Sequence, residues 1–341
     1  MKYVGADLHK KSITLSVVVM NGTKTSLVKN CKILCKDTSK LREVLQSFVP
    51  FKITVEATIG FDWFASLASE FAERVVIAHP GKMRVIAEST RKTDKIDARI
   101  LADFLAHDMI PEAWRPTDRV RQHRSLVRRR RKLSSRVTSI RNTIRAILTR
   151  YNLDRKDLFT IEGRKAALKL NLLPAEIFVV EDLFEDLKAA EDRLKKVEIF
   201  LALFASQAPQ AEKEARAVLA TFPQMGRITA DTILAELGDW QRFRNAKSVI
   251  AFSGLDPGVR ESDAKRKNLK LSKEGSPLLR WIMIQLAQRL KKRSPRWKNI
   301  YARLEANVGN KKATCALARR MLVVVYAMLR DMKAYQLVAA A

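Results

Sequence analysis

The stretch KYVGADLHKKSITLSVVVMNGTKTSLVKNCKILC, residues 2–35, decides the reading of the fold. It holds three β-rich runs, at 2–8, 12–20 and 29–35, and Asn21-Gly22 between the second and third is a strong hairpin signal. Working outward, 38–48 reads as a helix with Thr38 or Ser39 as candidate N-cap. Residues 52–57 (KITVEA) alternate and are β-branched, so they read as a strand. Residues 61–73 read as a helix and 74–79 (RVVIAH) as another strand. Pro80-Gly81 then breaks the chain, and helix returns near 94–107.

A three-strand meander followed by helix, strand, helix, strand and helix is the order of an RNase H-like (RuvC-like) α/β domain, here over residues 1–110. Four carboxylates fall at telling places in it. Asp7 lies on the first strand, Glu56 at the end of the fourth, and Asp94 and Asp97 on the helix in RKTDKIDARILADFL. That order matches an Asp-Glu-Asp-Asp metal centre. Phosphodiester chemistry needs charge neutralised at the attacking and leaving oxygens, and two Mg2+ ions about 3.5–4 Å apart do this when several carboxylates hold them. Asp94 and Asp97 are three apart, so one helix face carries both. Taken singly, each acid reads as an ordinary cap or surface charge. Asp103 and Glu88 are the nearest decoys.

Bulk composition narrows the partners. With 341 residues and 47% apolar content the chain is long enough for two or three globular domains. A formal net charge of +29 makes nucleic acid the first-choice partner. A membrane is not expected: the longest late apolar run, Met321 to Leu329, has nine residues, and a spanning helix needs about 20. A signal peptide is not expected, since the first residues run straight into a strand pattern. Cys31, Cys35 and Cys315 lack zinc-ligand spacing and read as reduced thiols of a cytoplasmic protein, while four scattered histidines argue against a histidine-based metal site.

The middle third is basic and helical. From Arg119 to Arg150 there are twelve Lys/Arg and no Asp or Glu. Leu126, Leu133, Val137, Ile140, Ile144 and Ile147 form one apolar stripe at helical spacing, and the other faces are cationic. A second stripe, Ile177, Val180, Leu183, Leu187, Leu194 and Val197, runs through 175–205 with acids interspersed. Two such helices pair either as an antiparallel coiled coil over 111–210 or as a two-helix element packed on a domain. Arg128, Arg129, Arg130, Arg131, Lys132 and Arg136 are candidate phosphate contacts, without a signal for sequence readout or base stacking.

The last third, 211–341, reads as mostly helical, with helices at 277–292 and 312–333. It opens with TFPQMGRITADTILAELGDWQRF, where a Pro223-Gln224-Met225-Gly226 turn leads into a helix. That is a helix-hairpin-helix pattern, whose helix N-terminus presents backbone N–H groups to phosphate, so Gly226, Arg227 and Thr229 are candidate contacts. The alternative is a simple turn whose Gly226 is a steric need. Further on, FSGLDPGVRESDAKRKNLKLSKEGSPLLRW places Ser262 in a basic, turn-like stretch with Arg260, Lys265, Arg266 and Lys267 around it. A serine hydroxyl attacking a phosphodiester forms a phosphoserine link that conserves bond energy for rejoining, and nearby cations stabilise the developing charge. By itself this stretch reads as a solvated loop, with Ser272 and Ser276 as competing helix caps.

Across nearly its whole length the chain resembles the DEDD insertion-sequence transposases, the IS one-ten family with its IS eleven-eleven branch. The matching motifs are Gly5-Ala6-Asp7; Glu56-Ala57-Thr58; Lys92-Thr93-Asp94 with Asp97-Ala98; Pro223-Gln224-Met225-Gly226 with Thr229-Ala230; and Gly254-Leu255-Asp256-Pro257, Ser262, and Ser272-Lys273-Glu274-Gly275. It departs from the family pattern at Ile59-Gly60, at Gln224 where glycine is usual, and at Asp263 after the serine. The resemblance implies a RuvC-like domain, a coiled coil and a C-terminal transposase domain. It implies Mg2+, with Mn2+ able to substitute, held by Asp7, Glu56, Asp94 and Asp97. It implies Ser262 as the nucleophile, acting with carboxylates of another subunit in a dimer or tetramer. Partners so implied are DNA (element ends and target) and a structured noncoding guide RNA, in a cytoplasmic, nucleoid-associated protein. Two other readings remain open here: a RuvC-like junction nuclease that uses water, and a non-enzymatic nucleic-acid scaffold.

Overall fold

The computed structural model describes residues 1–86, 94–167, 169, 171–262 and 265–336; side chains at 84–86, 94–95, 259–262 and 265–270 lie outside the description. The chain divides into two compact units, Met1–Arg115 and Pro116–Ala341.

The first unit is mixed α/β. Its elements are β1 (Lys2–Leu8), β2 (Ser12–Asn21), β3 (Lys24–Leu34), α1 (Thr38–Gln46), β4 (Phe51–Glu56), α2 (Phe61–Ala68), β5 (Arg74–Ala78), α3 (Pro80–Ile86) and α4 (Asp94–Ala106). Five strands form one sheet in the order β3-β2-β1-β4-β5. The three meander strands are antiparallel, and β4 and β5 run parallel to β1. The β2–β3 loop turns at Gly22-Thr23, with Gly22 at φ 63°, where a residue without a Cβ is unstrained. Two local expectations are corrected. The α1 cap is Asp37, whose carboxylate accepts from the Lys40 N–H at 3.1 Å. Pro80 does not break the chain but starts α3, where its missing N–H has no intrahelical partner to lose.

The two faces of this sheet differ in chemistry. Val4, Ala6, Ile13, Leu15, Val17, Ile53 and Val55 point to one side and pack with Leu41, Leu45, Phe64 and Ala68 of α1 and α2. The opposite side carries Tyr3, Gly5 and Asp7 of β1, with Thr14, Ser16 and Val18 opposite on β2 and Thr54 beside Gly5 on β4. Helix α4 covers this side. It lies so close to β1 that a Cβ on Gly5 would sit 2.0 Å from the Ala98 carbonyl oxygen and 2.5 Å from the Ala102 nitrogen.

The second unit is helical apart from one ribbon. Two helices of 33 residues, α5 (Asp118–Arg150) and α7 (Pro174–Ser206), are each about 50 Å long. They run antiparallel, as their ion pairs show: Arg130 meets Glu198, Arg141 meets Glu191 and Arg150 meets Glu176. Leu133, Val137, Ile140, Ile144 and Ile147 of the expected stripe are buried, and Val180, Phe184, Leu187 and Ala190 answer them from α7. Between these helices lies the short α6 (Ile161–Ala167). The remaining core unites α8 (Gln210–Ala220), α9 (Arg227–Leu237), α10 (Ala246–Ser253), α11 (Pro277–Arg293), α12 (Pro295–Val308) and α13 (Asn310–Asp331). The basic stretch read as a turn is instead a two-stranded antiparallel ribbon, β6 (Pro257–Ser262) and β7 (Lys265–Leu271). Charge is divided unequally. Eighteen of the 65 Lys/Arg and thirteen of the 36 Asp/Glu fall in 1–115, so +24 of the +29 belongs to 116–341.

Two predictions concern the first unit. Gly5→Val should lift α4 from the sheet and cost about 3 kcal/mol or more, measured as a loss in urea midpoint at unchanged slope. A wild-type-like midpoint would refute the close approach. His107 places Nδ1 2.8 Å from the Asp103 carbonyl and Nε2 3.1 Å from the Thr23 carbonyl. Both acceptors are served only by the doubly protonated ring, so these backbone bonds raise its pKa above the usual value of about 6.5. The stabilisation is therefore fully present below pH about 6.5 and fades as pH rises through the raised native value. His107→Gln should flatten that part of the stability–pH curve, and a curve unchanged by the substitution would sink the assignment.

Candidate functional site

The acid residues converge through backbone geometry. β1 and β4 are parallel and register Gly5 with Thr54 and Ala6 with Val55, so Asp7 and Glu56 follow side by side at the C-terminal ends of adjacent strands. Both belong to the face under α4. That helix runs opposite to β1: Ala102 and Ala106 pack with Tyr3, Val18 and Met20, and Ala98 reaches Gly5. Its first turn, with Asp94 and Asp97, therefore lies toward the Asp7 end of the strand. Asp97 is half-buried, directly before Ala98. The Asp94 side chain lies outside the described residues, as do Glu88 and the Lys92-Thr93 part of its motif. Asp7 Oδ2 is 3.1 Å from His9 Nε2, a partner the sequence reading did not single out. Among the described residues no three His, Cys, Asp or Glu side chains are grouped closely enough to hold a metal. Apart from the His9 imidazole, the donors brought toward this end are carboxylate oxygens, the ligand type that Mg2+ and Mn2+ prefer. The decoy Asp103 is engaged elsewhere, accepting from Thr25 Oγ1 at 2.7 Å and Arg99 Nε at 3.3 Å.

Buried hydroxyls line the same face. Thr14, Ser16 and Thr54 are 1%, 0% and 0% exposed, and their oxygens have no hydrogen-bond partner among the described residues. They flank Asp7 and Gly5 on both sides.

Ser262 is the last residue of β6, paired with Lys265 across the end of the ribbon. Its side chain, and those of Arg260, Lys265, Arg266 and Lys267, lie outside the described residues. Its two competitors are occupied. Ser276 caps α11, accepting from the Leu279 N–H at 3.1 Å and donating to Glu236 Oε2 at 2.8 Å. Ser272 donates to Asp256.

The Pro223–Gly226 turn joins α8 to α9, and Gly226 precedes the first residue of α9. Its φ of −77° is open to any residue, and a Cβ there would meet nothing within 4 Å. Steric need therefore does not explain this glycine. It does bear on position 224, where Gln224 has φ 58°, a region glycine enters at less cost. Arg227 is exposed, whereas Thr229 is buried and its hydroxyl accepts from Arg289 Nη2 at 3.1 Å.

Several arginines of this face are engaged by partners within the protein. Arg128 makes a two-pronged contact with Glu236 at 2.9 and 3.0 Å, and that bond raises its pKa. Arg130 pairs with Glu198 and Arg136 with Asp186. Arg131 lies 4.0 Å over the Trp281 ring. Arg129 and Lys132 are exposed and have no ion-pair partner among the described residues. Sequence reasoning missed the acids that receive these arginines. Asp231 and Glu236 on α9 are fully buried. Burial would push the Asp231 carboxyl up, but bonds from His123 and Arg216 overcome it and hold the group below the usual range. Arg124 closes the far end of α9 by donating to the Ala235 and Glu236 carbonyls.

Comparison with known sequences adds the family context. A DEDD transposase model of the IS110 type, described as "Transposase", matches residues 4–153, and the model described as "Transposase IS116/IS110/IS902 family" matches residues 216–302. The chain is similar to the transposase for insertion sequence element IS1111A of Coxiella burnetii, at 24% identity over 259 residues, covering 72% of this chain and 69% of that protein. It is similar to the transposase for insertion sequence element IS1328 of Yersinia enterocolitica, at 23% over 333 residues and 95% of each. It is also similar to the pilin gene-inverting protein of Moraxella bovis, at 22% over 338 residues and 96% of each.

The ion pairs separate two kinds of arginine experimentally. Arg128→Ala leaves the buried Glu236 without its cation and should cost about 3 kcal/mol in chemical unfolding. Substituting Arg129 and Lys132 by Ala should leave stability within about 0.5 kcal/mol. Equal losses for the two variants would contradict the distinction.

Proposed function

Since this chain belongs to the IS116/IS110/IS902 family of insertion-sequence transposases and is a DNA transposase, we propose that it cuts and rejoins the DNA of its own mobile element through a serine nucleophile aided by divalent-metal carboxylates. The observation that carries the carboxylate half is the junction at Gly5. Two neighbouring strand ends and the first turn of α4 bring Asp7, Glu56 and Asp97 to one end of one sheet face, with the Asp94 backbone one turn away. In this reading the unit is RNase H-like, and these four acids hold Mg2+, with Mn2+ able to substitute. When bound, the ions supply neutralisation of charge at the attacking and leaving oxygens of a phosphodiester.

Ser262 carries the other half of the proposal. Its Oγ forms a bond to phosphorus as the bond from phosphorus to the leaving sugar oxygen breaks, and the hydroxyl proton passes to solvent. The covalent phosphoserine link conserves the energy needed for rejoining, which runs the same step backward with a new strand. A place at the end of a ribbon supports delivery of this hydroxyl. Arg260, Lys265, Arg266 and Lys267, next to it in sequence, are the cations proposed to face the phosphate.

Three further parts complete the reading. The α5–α7 pair serves as the coiled coil, and α8, its turn and α9 as the helix-hairpin-helix, in a functional division near 1–110, 111–210 and 211–341. A structured noncoding guide RNA selects the DNA sites, and Arg128, Arg129, Arg130, Arg131, Lys132, Arg136, Gly226, Arg227 and Thr229 are the proposed nucleic-acid set, with Arg128 held by Glu236 and Thr229 acting through Arg289. The carboxylates of one subunit work with the serine of another, in a dimer or tetramer acting at the cytoplasmic nucleoid. Among the described residues no helix is long and apolar enough to cross a membrane.

A denaturing gel for protein–DNA adducts tests this. The chain, expressed with its own element and flanks, should give a covalent adduct that disappears in Ser262→Ala and in Asp7→Asn. Cleaved DNA without an adduct, unaffected by Ser262→Ala, would instead indicate a water-driven nuclease. Full activity in Asp7→Asn would remove the carboxylates from the chemistry.

A further inference from the structure

A second set of cations stands at the α8–α9 turn, and it comes from a helix the sequence reading left out of the site. Arg289 and Arg293 lie one turn apart on α11. Arg289 Nη2 donates to Thr229 Oγ1 at 3.1 Å, and Arg293 Nη1 donates to Gln224 Oε1 at 3.2 Å. Their guanidiniums therefore reach both sides of Gly226, where the backbone is bare and exposed and Arg227 begins the 11-residue α9.

Several part-buried arginines of the unit, among them Arg119, Arg164 and Arg216, meet a carboxylate. Arg289 meets only neutral hydroxyl oxygen. Its Nε is buried without a hydrogen-bond partner among the described residues. Burial, and then the neighbouring Arg293 charge, lower its pKa. Two like charges held together at a cost, beside the Arg227 and Ile228 N–H groups at the start of α9, make a site that an anion would stabilise, the next two N–H groups being bonded to the Gly226 carbonyl.

We infer that Arg289 and Arg293 complete a cradle at the α8–α9 turn for one backbone phosphate of a nucleic acid, together with Arg227 and the N–H groups after Gly226. Thr229 then serves as the post that aims Arg289 rather than as a direct contact. Gln224, where the family pattern has glycine, does the same for Arg293. This inference rests on the nucleic-acid reading of the turn proposed above.

The test is fluorescence anisotropy of the full chain with labelled duplex DNA and, separately, duplex RNA between 50 and 200 mM salt. Because both side chains serve one phosphate, the slope of log affinity against log salt should become shallower by about one in the Arg289→Gln/Arg293→Gln double variant and by no more than that in either single variant, with at least one of the two probes. Thermal midpoints should not fall, because the shorter amide side chain in Arg289→Gln can still bond Thr229 and one of two repelling charges is gone. Unchanged slopes with both probes would overturn the cradle while leaving nucleic-acid binding elsewhere intact. A lowered midpoint with unchanged slopes would show a purely structural role. Absence of salt-linked binding by the parent chain would overturn the underlying reading as well.

Discussion

The first unit depends on a missing side chain. Position 5 carries only hydrogen where α4 crosses β1, and the helix backbone rests on the strand at a distance no Cβ would allow. Small residues continue the contact, with Ala98 and Ala102 fully buried. Bulk here would raise the helix and move its first turn away from the strand ends. The placement of Asp97 relative to Asp7 and Glu56 is thus set by a packing distance rather than by attraction among the acids, which repel one another. Covering Thr14, Ser16 and Thr54, which have no hydrogen-bond partner among the described residues, adds a further cost of about 1–3 kcal/mol for each such hydroxyl. The apolar layer on the other face of the same sheet, with Phe51, Ile53 and Val55 fully buried, offsets these penalties.

In the second unit, ionic contacts do structural work that composition alone would assign to a ligand. Glu236 is held by Arg128 and Ser276, and Asp231 by Arg216 and His123. Buried acids of α9 anchor that helix to α5, α8 and α11. Breaking such contacts leaves an uncompensated charge in the interior, so they specify how the helices meet even where their net gain over apolar packing is small. The charge free to meet a polyanion is correspondingly less than the bare count of arginines.

Local chemistry made much of this legible in sequence. The meander, its glycine hairpin, the α5 stripe and the positions of Asp7 and Glu56 on strands all follow from patterns spanning a few residues. Errors arose where two local signals competed, as when Asp37 capped a helix in place of Thr38 or Ser39, and when Pro80 began a helix in place of ending a strand. The β6–β7 ribbon was invisible because it has no sheet beneath it, so KRKNLKL shows no alternation of apolar and polar residues. The partners of the arginines were invisible for a different reason. Arg128 and Glu236 are 108 positions apart, and no spacing rule links them. At Gly226 the sequence left two explanations, and the open space around it removes the steric one.

The unequal division of charge has a kinetic consequence. With +24 on the helical unit and +5 on the sheet unit, long-range attraction to a polyanion acts almost wholly on the former. Encounter with such a polymer is then steered mainly by the charge of the helical unit, so its speed should vary steeply with ionic strength.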